Sequence, residues 1–322
     1  MKIAILGVGG VGSYYGGRLS ATGVDVSFIA REKTVEALRT QGLLIESALG
    51  NAHLHELRVT SHPQDIGPVD VVLLCVKAYD LEEVGSLLGP LMDENTGVVC
   101  TQNGVDAIDR LTSRLERGCA LGAVVYGNTL LVTPGHVRHL GTLARLRVGG
   151  RTERAQEIAS QLVTACKACS IDAETTTQID VELWSKFVLF SVMSAACCLS
   201  NLPTGSLRDD PAGRAMLERG MRETVAVANA SDVHLESDVV ERSLMIVDEM
   251  AAESIPSMLV DLRSGRRLEI EHLSGTVVRL GHQLDIDVPF HETAYAALKH
   301  YADGRTMTAA TVIDDLPPGR KA

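Results

Sequence analysis

Basic residues are scarce in this chain relative to acidic ones. Its 322 residues include 30 lysines and arginines against 41 aspartates and glutamates, so the formal net charge is -11. A surface that binds a nucleic-acid backbone needs a basic excess, and this balance argues against such a partner. Low-complexity segments are also missing, and 45% of the residues are hydrophobic. The composition is typical of a globular protein long enough for two domains and a large core.

The cysteines lack the spacing of a disulfide framework or of a zinc site. There are seven, an odd number. The pair Cys166 and Cys169 forms a CxxC motif, but it lies in a helical pattern and no second pair supplies the other half of a metal site. We therefore predict reduced thiols, no metal ion and a cytoplasmic location.

No uncharged segment is apolar enough to indicate a membrane span. The longest runs from residue 187 to 207 and contains Ser191, Ser194, Ser200, Asn201 and Pro203. These residues are too polar for lipid, so we predict a helix buried between domains and no membrane partner. The apolar run after Lys2 superficially resembles a signal peptide. Glycines interrupt it and no cleavage site follows, which predicts mature sequence.

The most informative feature present is a glycine-rich turn between an apolar strand, residues 2–6, and a helix. The turn reads Gly7, Val8, Gly9, Gly10, Val11, Gly12. Its glycines permit a tight turn, a close approach of backbone to a pyrophosphate and close packing of the helix. The amides that open the helix, at its positive dipole end, can hold the phosphates. A second strand follows at residues 25–30, so the context favours a dinucleotide site over a purely structural turn.

The end of that second strand indicates which dinucleotide binds. An NAD site places an Asp or Glu there to bind the adenine ribose, whereas this strand ends at Ala30 and Arg31. A guanidinium matches the geometry of a phosphate, which favours the 2'-phosphate of NADPH over the ribose of NADH. The alternative is a solvated arginine at a helix start, paired with Glu32.

Two further polar residues follow apolar strands. Lys77 comes after the run that ends at Val76, and Asn103 comes after the run that ends at Gln102. Ligands bind at the carboxyl ends of strands in doubly wound sheets, so both are candidates for the site. Either residue could instead belong to an ordinary loop, since Asn-Gly is a common turn, but their occurrence as a pair at adjacent strand ends favours the site.

The pattern of elements predicts an α/β fold with an all-helical second half. We expect a Rossmann-type, doubly wound NADP-binding domain over residues 1–175, a helical substrate domain over 176–310 and a flexible tail over 311–322. Antiparallel strands are expected near residues 43–46 and 53–59, and a single helix over 269–282.

An ordered series of motifs resembles the ketopantoate reductase (2-dehydropantoate 2-reductase) family over almost the whole chain. The series is E-L-W-S-K at 182–186, P-S-M-L-V-D-L-R-S-G-R at 256–266 and a glutamate at 269, together with the glycine turn, Arg31, Lys77 and Gln102-Asn103-Gly104. The glycine turn alone would not indicate this family. The resemblance implies NADPH-dependent reduction of a branched 2-oxo acid, 2-dehydropantoate in pantothenate biosynthesis, with the active site in a cleft between the two domains.

The resemblance also implies roles for individual residues. Lys186 would donate the proton, and Ser257 would bind a substrate hydroxyl. Contacts to NADPH would come from residues 7–12, Arg31, Lys77, Asn103, Asn128 and a carboxylate beside the nicotinamide, Glu269. The substrate would meet Lys186, Asn103, Ser257 and Ser194. Burial beside Trp184 and Phe187 should lower the pKa of Lys186, and Glu269 should oppose that shift.

Three positions depart from the family pattern. Asparagines that commonly hold the hydroxy acid are replaced by Phe190, Ser194 and Thr204. Phenylalanine cannot hydrogen-bond a carboxylate or a hydroxyl, so the pocket is expected to be more apolar than one built for ketopantoate. Reduction of a different, more apolar 2-oxo acid is therefore the alternative reaction.

The sequence leaves further possibilities open. Lys186 could be a helix lysine that reaches solvent, and Glu269 could pair with Arg266. The chain could also be a non-catalytic NADP(H)-binding sensor or scaffold, although such a protein needs none of Lys186, Ser257 and Glu269. The sequence is compatible with a homodimer but does not reveal the oligomeric state.

Overall fold

A computed structural model describes residues 1–304 of the chain. The chain divides into two compact units, with the division between Leu183 and Trp184. The sequence indicates a division after residue 175, which stays a prediction, and the predicted tail 311–322 lies outside the described residues. All strands of the described residues lie in the first unit, and the described part of the second is helical. The predicted fold class is thus confirmed.

Unit 1 contains one ten-stranded sheet. Its strands are β1 (Lys2–Leu6), β2 (Asp25–Ile29), β3 (Leu43–Ser47), β4 (Ala52–Leu54), β5 (Arg58–Thr60), β6 (Val71–Leu74), β7 (Gly97–Cys100), β8 (Cys119–Thr133), β9 (His136–Gly149) and β10 (Asp172–Thr175). Their order is β4-β3-β9-β8-β7-β6-β1-β2-β5, with β10 paired to β9. The six strands from β8 to β5 are parallel, and β9 turns back antiparallel to β8.

Helices cover the parallel part of the sheet. They are α1 (Gly10–Ala21), α2 (Glu32–Gln41), α3 (Gly85–Leu88), α4 (Ala107–Thr112) and α5 (Glu153–Ala168). Along β1, Ile3 and Ile5 belong to one apolar cluster, whereas Ala4 and Leu6 belong to another. Alternate side chains point to opposite faces of a strand, so both faces of β1 are buried. This explains why its sequence is a continuous apolar run.

One predicted strand is wrong. The segment predicted over residues 53–59 is divided into β4, antiparallel to β3, and β5, parallel to β2. These two strands lie at opposite ends of the sheet order, and residues 55–57 alone join them. The four Cα–Cα steps from Leu54 to Arg58 span at most about 14 Å, so the sheet must curl until its ends approach each other.

The helix α6 (Ile179–Ser200) begins in unit 1 and continues into unit 2. Its length and hydropathy would suffice to cross a membrane, but 67% of its most apolar window is buried within the protein. Such burial is typical of a core helix, in agreement with the prediction of a buried helix. Two ion pairs hold its first turn in unit 1: Arg147 to Glu182 at 2.5 Å, and Arg151 to Asp180 at 2.7 Å.

Unit 2 continues with six further helices over the described residues. They are α7 (Thr204–Arg208), α8 (Pro211–Ala230), α9 (Val239–Glu249), α10 (Ser257–Arg263), α11 (Ser274–Leu284) and α12 (Pro289–Leu298). The single helix predicted over 269–282 is wrong. A short 3-10 turn at residues 270–272 precedes α11, because Leu273 has φ -107° and ψ -100°, outside the helical region.

Candidate active site

The glycine turn of unit 1 has the backbone geometry that its sequence predicts. Gly7 has φ +101°, and a Cβ there would lie 2.8 Å from the carbonyl carbon of Cys75. A Cβ on Gly12 would lie 2.0 Å from the carbonyl oxygen of Gly7. No other residue fits either position without movement of the backbone. The turn therefore lets α1 pack directly against β1 and β6.

The space next to Gly9 is open. Gly9 is the N-cap of α1 and provides no side-chain cap, and a Cβ built on it meets no atom within 4 Å. The first intrahelical bond runs from the Ser13 amide to the Gly9 carbonyl at 2.9 Å. The amides of residues 10–12 precede that bond, and amides at a helix start have no partner within the helix. Open space beside such amides fits a pyrophosphate.

A second segment borders the same turn. A Cβ on Gly10 would lie 2.4 Å from the carbonyl oxygen of Thr129, so the outer half of β8 runs directly over the start of α1. A bulge between Tyr126 and Asn128 bends β8 just before this contact. Asn128 is exposed beside the turn. The contact brings Asn128 close to the glycine turn, and both are predicted to bind the cofactor. Their positions in the sequence did not indicate that they are neighbours.

Arg31 lies at the carboxyl end of β2 and is the N-cap of α2. Its side chain is 87% exposed, and its Nη2 lies 3.7 Å from Oδ2 of Asp80. The pairing with Glu32 that the sequence allowed is replaced by this contact to Asp80. Asp80 was not predicted from the sequence. Its position three residues after Lys77 is the one sequence feature that places it near the site.

Lys77 and Asn103 occupy equivalent places on neighbouring strands. Leu74 of β6 pairs with Cys100 of β7, and each candidate lies three residues beyond its member of that pair. Lys77 begins a 3-10 turn over residues 78–80. Both residues are partly buried at the carboxyl edge of the sheet. This register is consistent with the prediction that Lys77 and Asn103 lie at the same edge of the sheet.

In unit 2, Lys186 lies on the second turn of α6. Burial lowers its pKa from 10.5 to about 8, and the nearby carboxylate of Glu269 opposes that shift. Trp184 and Phe187 lie within two residues of it in sequence, with ring centroids 5.6 Å apart in an edge-to-face arrangement. Desolvation disfavours the ammonium form, as the sequence led us to expect.

The face of α6 that carries Lys186 continues with Phe190 and Ser194. Residues four apart on a helix are neighbours. The Nζ of Lys186 lies 5.4 Å from the centroid of the Phe190 ring. Ser194 is fully buried, and its Oγ has no hydrogen-bond partner among the described residues. An ammonium, an aromatic ring and an unsatisfied hydroxyl thus follow one another along this face.

The remaining predicted residues lie on other elements of unit 2. Glu269 is 4% exposed and directly precedes the turn at 270–272. Arg266, its possible partner from sequence, instead donates from Nε to Asp261 at 2.8 Å. Ser257 is the exposed first residue of α10, and Thr204 is the buried first residue of α7. Of these residues, Glu269 acts on Lys186, since its charge opposes the effect of burial on the pKa of that lysine.

Comparison with known protein families matches both parts of the chain. Residues 3–153 match the family model described as ketopantoate reductase PanE/ApbA, and residues 178–302 match its C-terminal model. The chain belongs to the ketopantoate reductase family. Members of this family are oxidoreductases, and the glycine turn described above fits the dinucleotide part of a nicotinamide cofactor.

Two curated relatives of this chain align over nearly their full lengths. The 2-dehydropantoate 2-reductase of Archaeoglobus fulgidus is 30% identical, over 91% of this chain and 95% of the relative. The uncharacterized oxidoreductase YkpB of Bacillus subtilis is 27% identical, over 94% of this chain and 99% of the relative.

One solved structure gives the same family, and a second shares the fold. A PanE/ApbA family ketopantoate reductase from Ralstonia eutropha superposes with a TM-score of 0.86 at 34% identity, and covers 94% of this chain and 98% of that chain. A D-mandelate dehydrogenase solved with NADH and anilino(oxo)acetate also has a TM-score of 0.86, with the same coverage, but is only 21% identical. This second likeness shows the common fold alone.

Proposed function

We propose that this chain catalyses the NADPH-dependent reduction of 2-dehydropantoate to pantoate, a step of pantothenate biosynthesis in the cytoplasm. The observation that carries the proposal is Lys186, an ammonium with a pKa lowered to about 8 and a buried carboxylate, Glu269, beside it. Membership of the ketopantoate reductase family and the curated relatives named 2-dehydropantoate 2-reductase support the same reaction.

The chemistry supplied by the reduced nicotinamide, when bound, is a hydride for the C2 carbonyl carbon. Lys186 acts on the oxygen of that carbonyl. Its ammonium neutralises the charge that develops there and then donates a proton to the oxygen. A pKa near 8 suits this role, because the amine is mostly protonated at pH 7 and still releases a proton readily. Glu269 keeps the ammonium form accessible despite burial.

Residues of unit 1 would bind the cofactor. In this proposal, the amides at 7–12 hold the pyrophosphate, Arg31 contacts the 2'-phosphate, and Lys77, Asn103 and the backbone near Asn128 contact the rest of the dinucleotide. The exposure of the Arg31 guanidinium at the end of β2 supports a phosphate partner. Asp80, at 3.7 Å, pairs with the guanidinium without burying it.

Residues of unit 2, together with Asn103 of unit 1, would bind the oxo acid. Asn103 and Ser257 are proposed to contact the substrate, and Glu269 to lie on the nicotinamide side. Ser194 supports a polar ligand, because a buried hydroxyl without a partner gains a hydrogen bond when a substrate group reaches it.

A second candidate reaction is the reduction of a more apolar 2-oxo acid. It rests on Phe190, whose ring lies beside the proposed proton donor, at 5.4 Å from Nζ to the centroid. An aromatic ring there favours an apolar substituent on C3 of the substrate over the hydroxyl of ketopantoate.

Steady-state oxidation of NADPH separates these possibilities. Ketopantoate is compared with 4-methyl-2-oxopentanoate and benzoylformate at one enzyme concentration. If the chain is a ketopantoate reductase, kcat/KM is highest for ketopantoate. A clearly higher kcat/KM for either apolar acid would refute that reaction and support reduction of a more apolar 2-oxo acid. Tight binding of NADPH without turnover of any of the three would refute both and favour a sensor.

A further inference from the structure

Gln102 joins the ends of β6 and β7. Its side-chain Nε2 donates to the carbonyl oxygen of Leu74 at 2.9 Å and to that of Val76 at 3.0 Å. Both partners are acceptors, so only the NH2 group of the amide can satisfy them, which settles the orientation of the side chain. Gln102 immediately precedes Asn103, and Val76 immediately precedes Lys77. One buried side chain therefore links the backbone beside Lys77 to the backbone beside Asn103.

This orientation has an energetic cost. The Oε1 of Gln102 is buried and has no hydrogen-bond partner among residues 1–304, and the residue is only 6% exposed. A buried acceptor left unsatisfied is destabilising, and an apolar side chain of the same length would avoid that cost. An amide at this position is therefore explained by the two bonds that its NH2 group makes.

The bond to Val76 is the one that matters for Lys77. The Leu74 carbonyl also accepts from the amide and from Oγ1 of Thr101, at 3.3 and 3.0 Å. The junction at Leu74 would thus survive without Gln102. The link at Val76, one residue from Lys77, comes from Gln102.

The sheet order locates this link relative to a dinucleotide. The pyrophosphate site lies at the end of β1 and Arg31 at the end of β2, so the adenosine half extends toward β2. The nicotinamide half must then extend the opposite way, over β6 and β7. Adjacent strands are about 4.8 Å apart, which puts the end of β7 about 10 Å from the end of β1.

We propose that Gln102 is a positioning residue that sets the separation of Lys77 and Asn103 where the nicotinamide half of the dinucleotide binds. This inference rests on the cofactor roles proposed for Lys77 and Asn103, and it is independent of which oxo acid is reduced. Gln102 acts through Lys77 and Asn103, so its contribution to cofactor binding disappears when those two side chains are removed.

A double-mutant cycle on cofactor binding tests this role. Dissociation constants are measured by fluorescence for NADPH and for adenosine 2',5'-bisphosphate, which lacks the nicotinamide half. Gln102→Met, similar in length but without hydrogen-bonding groups, should weaken NADPH binding about tenfold and leave the bisphosphate within about twofold. In the background of Lys77→Ala with Asn103→Ala, the same substitution should change NADPH binding by less than about twofold, because contacting residues are non-additive.

Thr101→Val is the matched control. It removes a hydrogen bond to the same Leu74 carbonyl but leaves the link at Val76, so NADPH binding should stay within about twofold of the unaltered protein. If Gln102→Met does not fold, as judged by its thermal unfolding midpoint, Gln102→Asn replaces it, since its shorter amide cannot span to Val76.

Four results would overturn the proposal. Unchanged NADPH binding in the Gln102 variant would remove any role in the site. Equal weakening of both ligands would indicate a general effect on the fold of unit 1. Full additivity with the double alanine background would indicate a direct contact or an unrelated effect. If the double alanine background itself binds NADPH normally, the roles of Lys77 and Asn103 fail first, and the positioning role fails with them.

Discussion

Phe190 places its ring centroid 5.4 Å from the Nζ of Lys186, one helical turn further along α6. A cation at this distance from an aromatic ring is attracted to it, by about 0.5–2 kcal/mol depending on exposure. The ring can thus hold the ammonium in place, and it also lines the space beside it with apolar surface. Both effects are open to measurement by substitution.

Phe190→Asn should shift the substrate preference toward hydroxylated oxo acids. The new amide can hydrogen-bond the hydroxyl of ketopantoate, whereas the apolar contact to a branched or aromatic substituent is lost. We expect the ratio of kcat/KM for ketopantoate to that for benzoylformate to rise about tenfold, equivalent to about 1.4 kcal/mol. Phe190→Leu is the control, because it removes the ring without adding an amide. An equal shift in both variants would contradict hydrogen bonding as the cause.

Lys186→Ala should abolish most turnover and leave cofactor binding intact. Loss of a general acid typically lowers kcat by about 10²–10⁴-fold. The dissociation constant of NADPH, measured by fluorescence, should change less than about threefold. Lys299→Ala, an exposed lysine near Tyr295 in the same unit, should behave like the unaltered enzyme. Retention of normal kcat by Lys186→Ala would exclude the proton-donor role.

Glu269→Gln should move the alkaline limb of the rate profile to lower pH. In the proposed mechanism reduction requires the protonated amine, so kcat should fall as the pH rises through the pKa of Lys186, near 8. The carboxylate of Glu269 raises that pKa against the effect of burial. Its neutral replacement therefore lowers the pKa of Lys186, and the loss of activity begins earlier.

Glu271→Gln provides the control for that experiment. Glu271 lies two residues away, is exposed and accepts a hydrogen bond from Tyr295. Its replacement should leave the limb in place. If the alkaline limb of Glu269→Gln stays at the same pH or moves to higher pH, the carboxylate does not act on Lys186.

How far the sequence predicts this molecule depends on the range of each interaction. Local patterns sufficed for the glycine turn, for α6 and for the helical second half, because strand alternation, helical period and turn residues act over a few positions. The sequence did not predict β5 as a separate strand parallel to β2, because that pairing depends on the curl of the whole sheet. The break at Leu273 was missed because its residue type does not disfavour a helix.

The same limit applies to the site. Arg31, Lys77 and Asn103 were predicted because each directly follows an apolar strand. The contact of Arg31 with Asp80, and the link from Gln102 to Val76, join separate segments of the chain. No periodicity marks such pairs, and they became visible only in the folded structure.

Arg31→Asp should reverse the preference between coenzymes. The exposed guanidinium can bind a 2'-phosphate through two hydrogen bonds, whereas an aspartate repels that phosphate and accepts from the ribose hydroxyls of NADH. We expect KM for NADPH to rise about 10–100-fold, with little change or a decrease for NADH. Asp80→Asn is the complementary variant. It removes the carboxylate at 3.7 Å and should tighten NADPH binding slightly at low salt. Equal effects of Arg31→Asp on both coenzymes would contradict a phosphate contact.

His291 is expected to make unit 2 sensitive to acid. Its ring is fully buried. Thr224 lies 2.9 Å from Nε2, the Gly220 carbonyl 3.3 Å from Nε2, and Ser274 3.2 Å from Nδ1. Burial lowers the pKa of His291 from 6.5 to about 3. Below pH 6.5 the unfolded chain therefore binds a proton that the folded protein excludes.

Stability should fall as the pH decreases from 6.5 toward 3, by about 1.4 kcal/mol per pH unit from this group. The facing carboxylate of Glu223, which accepts from the His291 amide at 3.2 Å, has a raised pKa and contributes with the opposite sign. Comparison of variants isolates the histidine. The free energy of unfolding in urea at pH 7.5 and 5.0 should differ less in His291→Gln than in the unaltered protein. His282→Gln, exposed on α11, should retain the original difference. An equal pH dependence in His291→Gln would show that another group is responsible for the acid sensitivity.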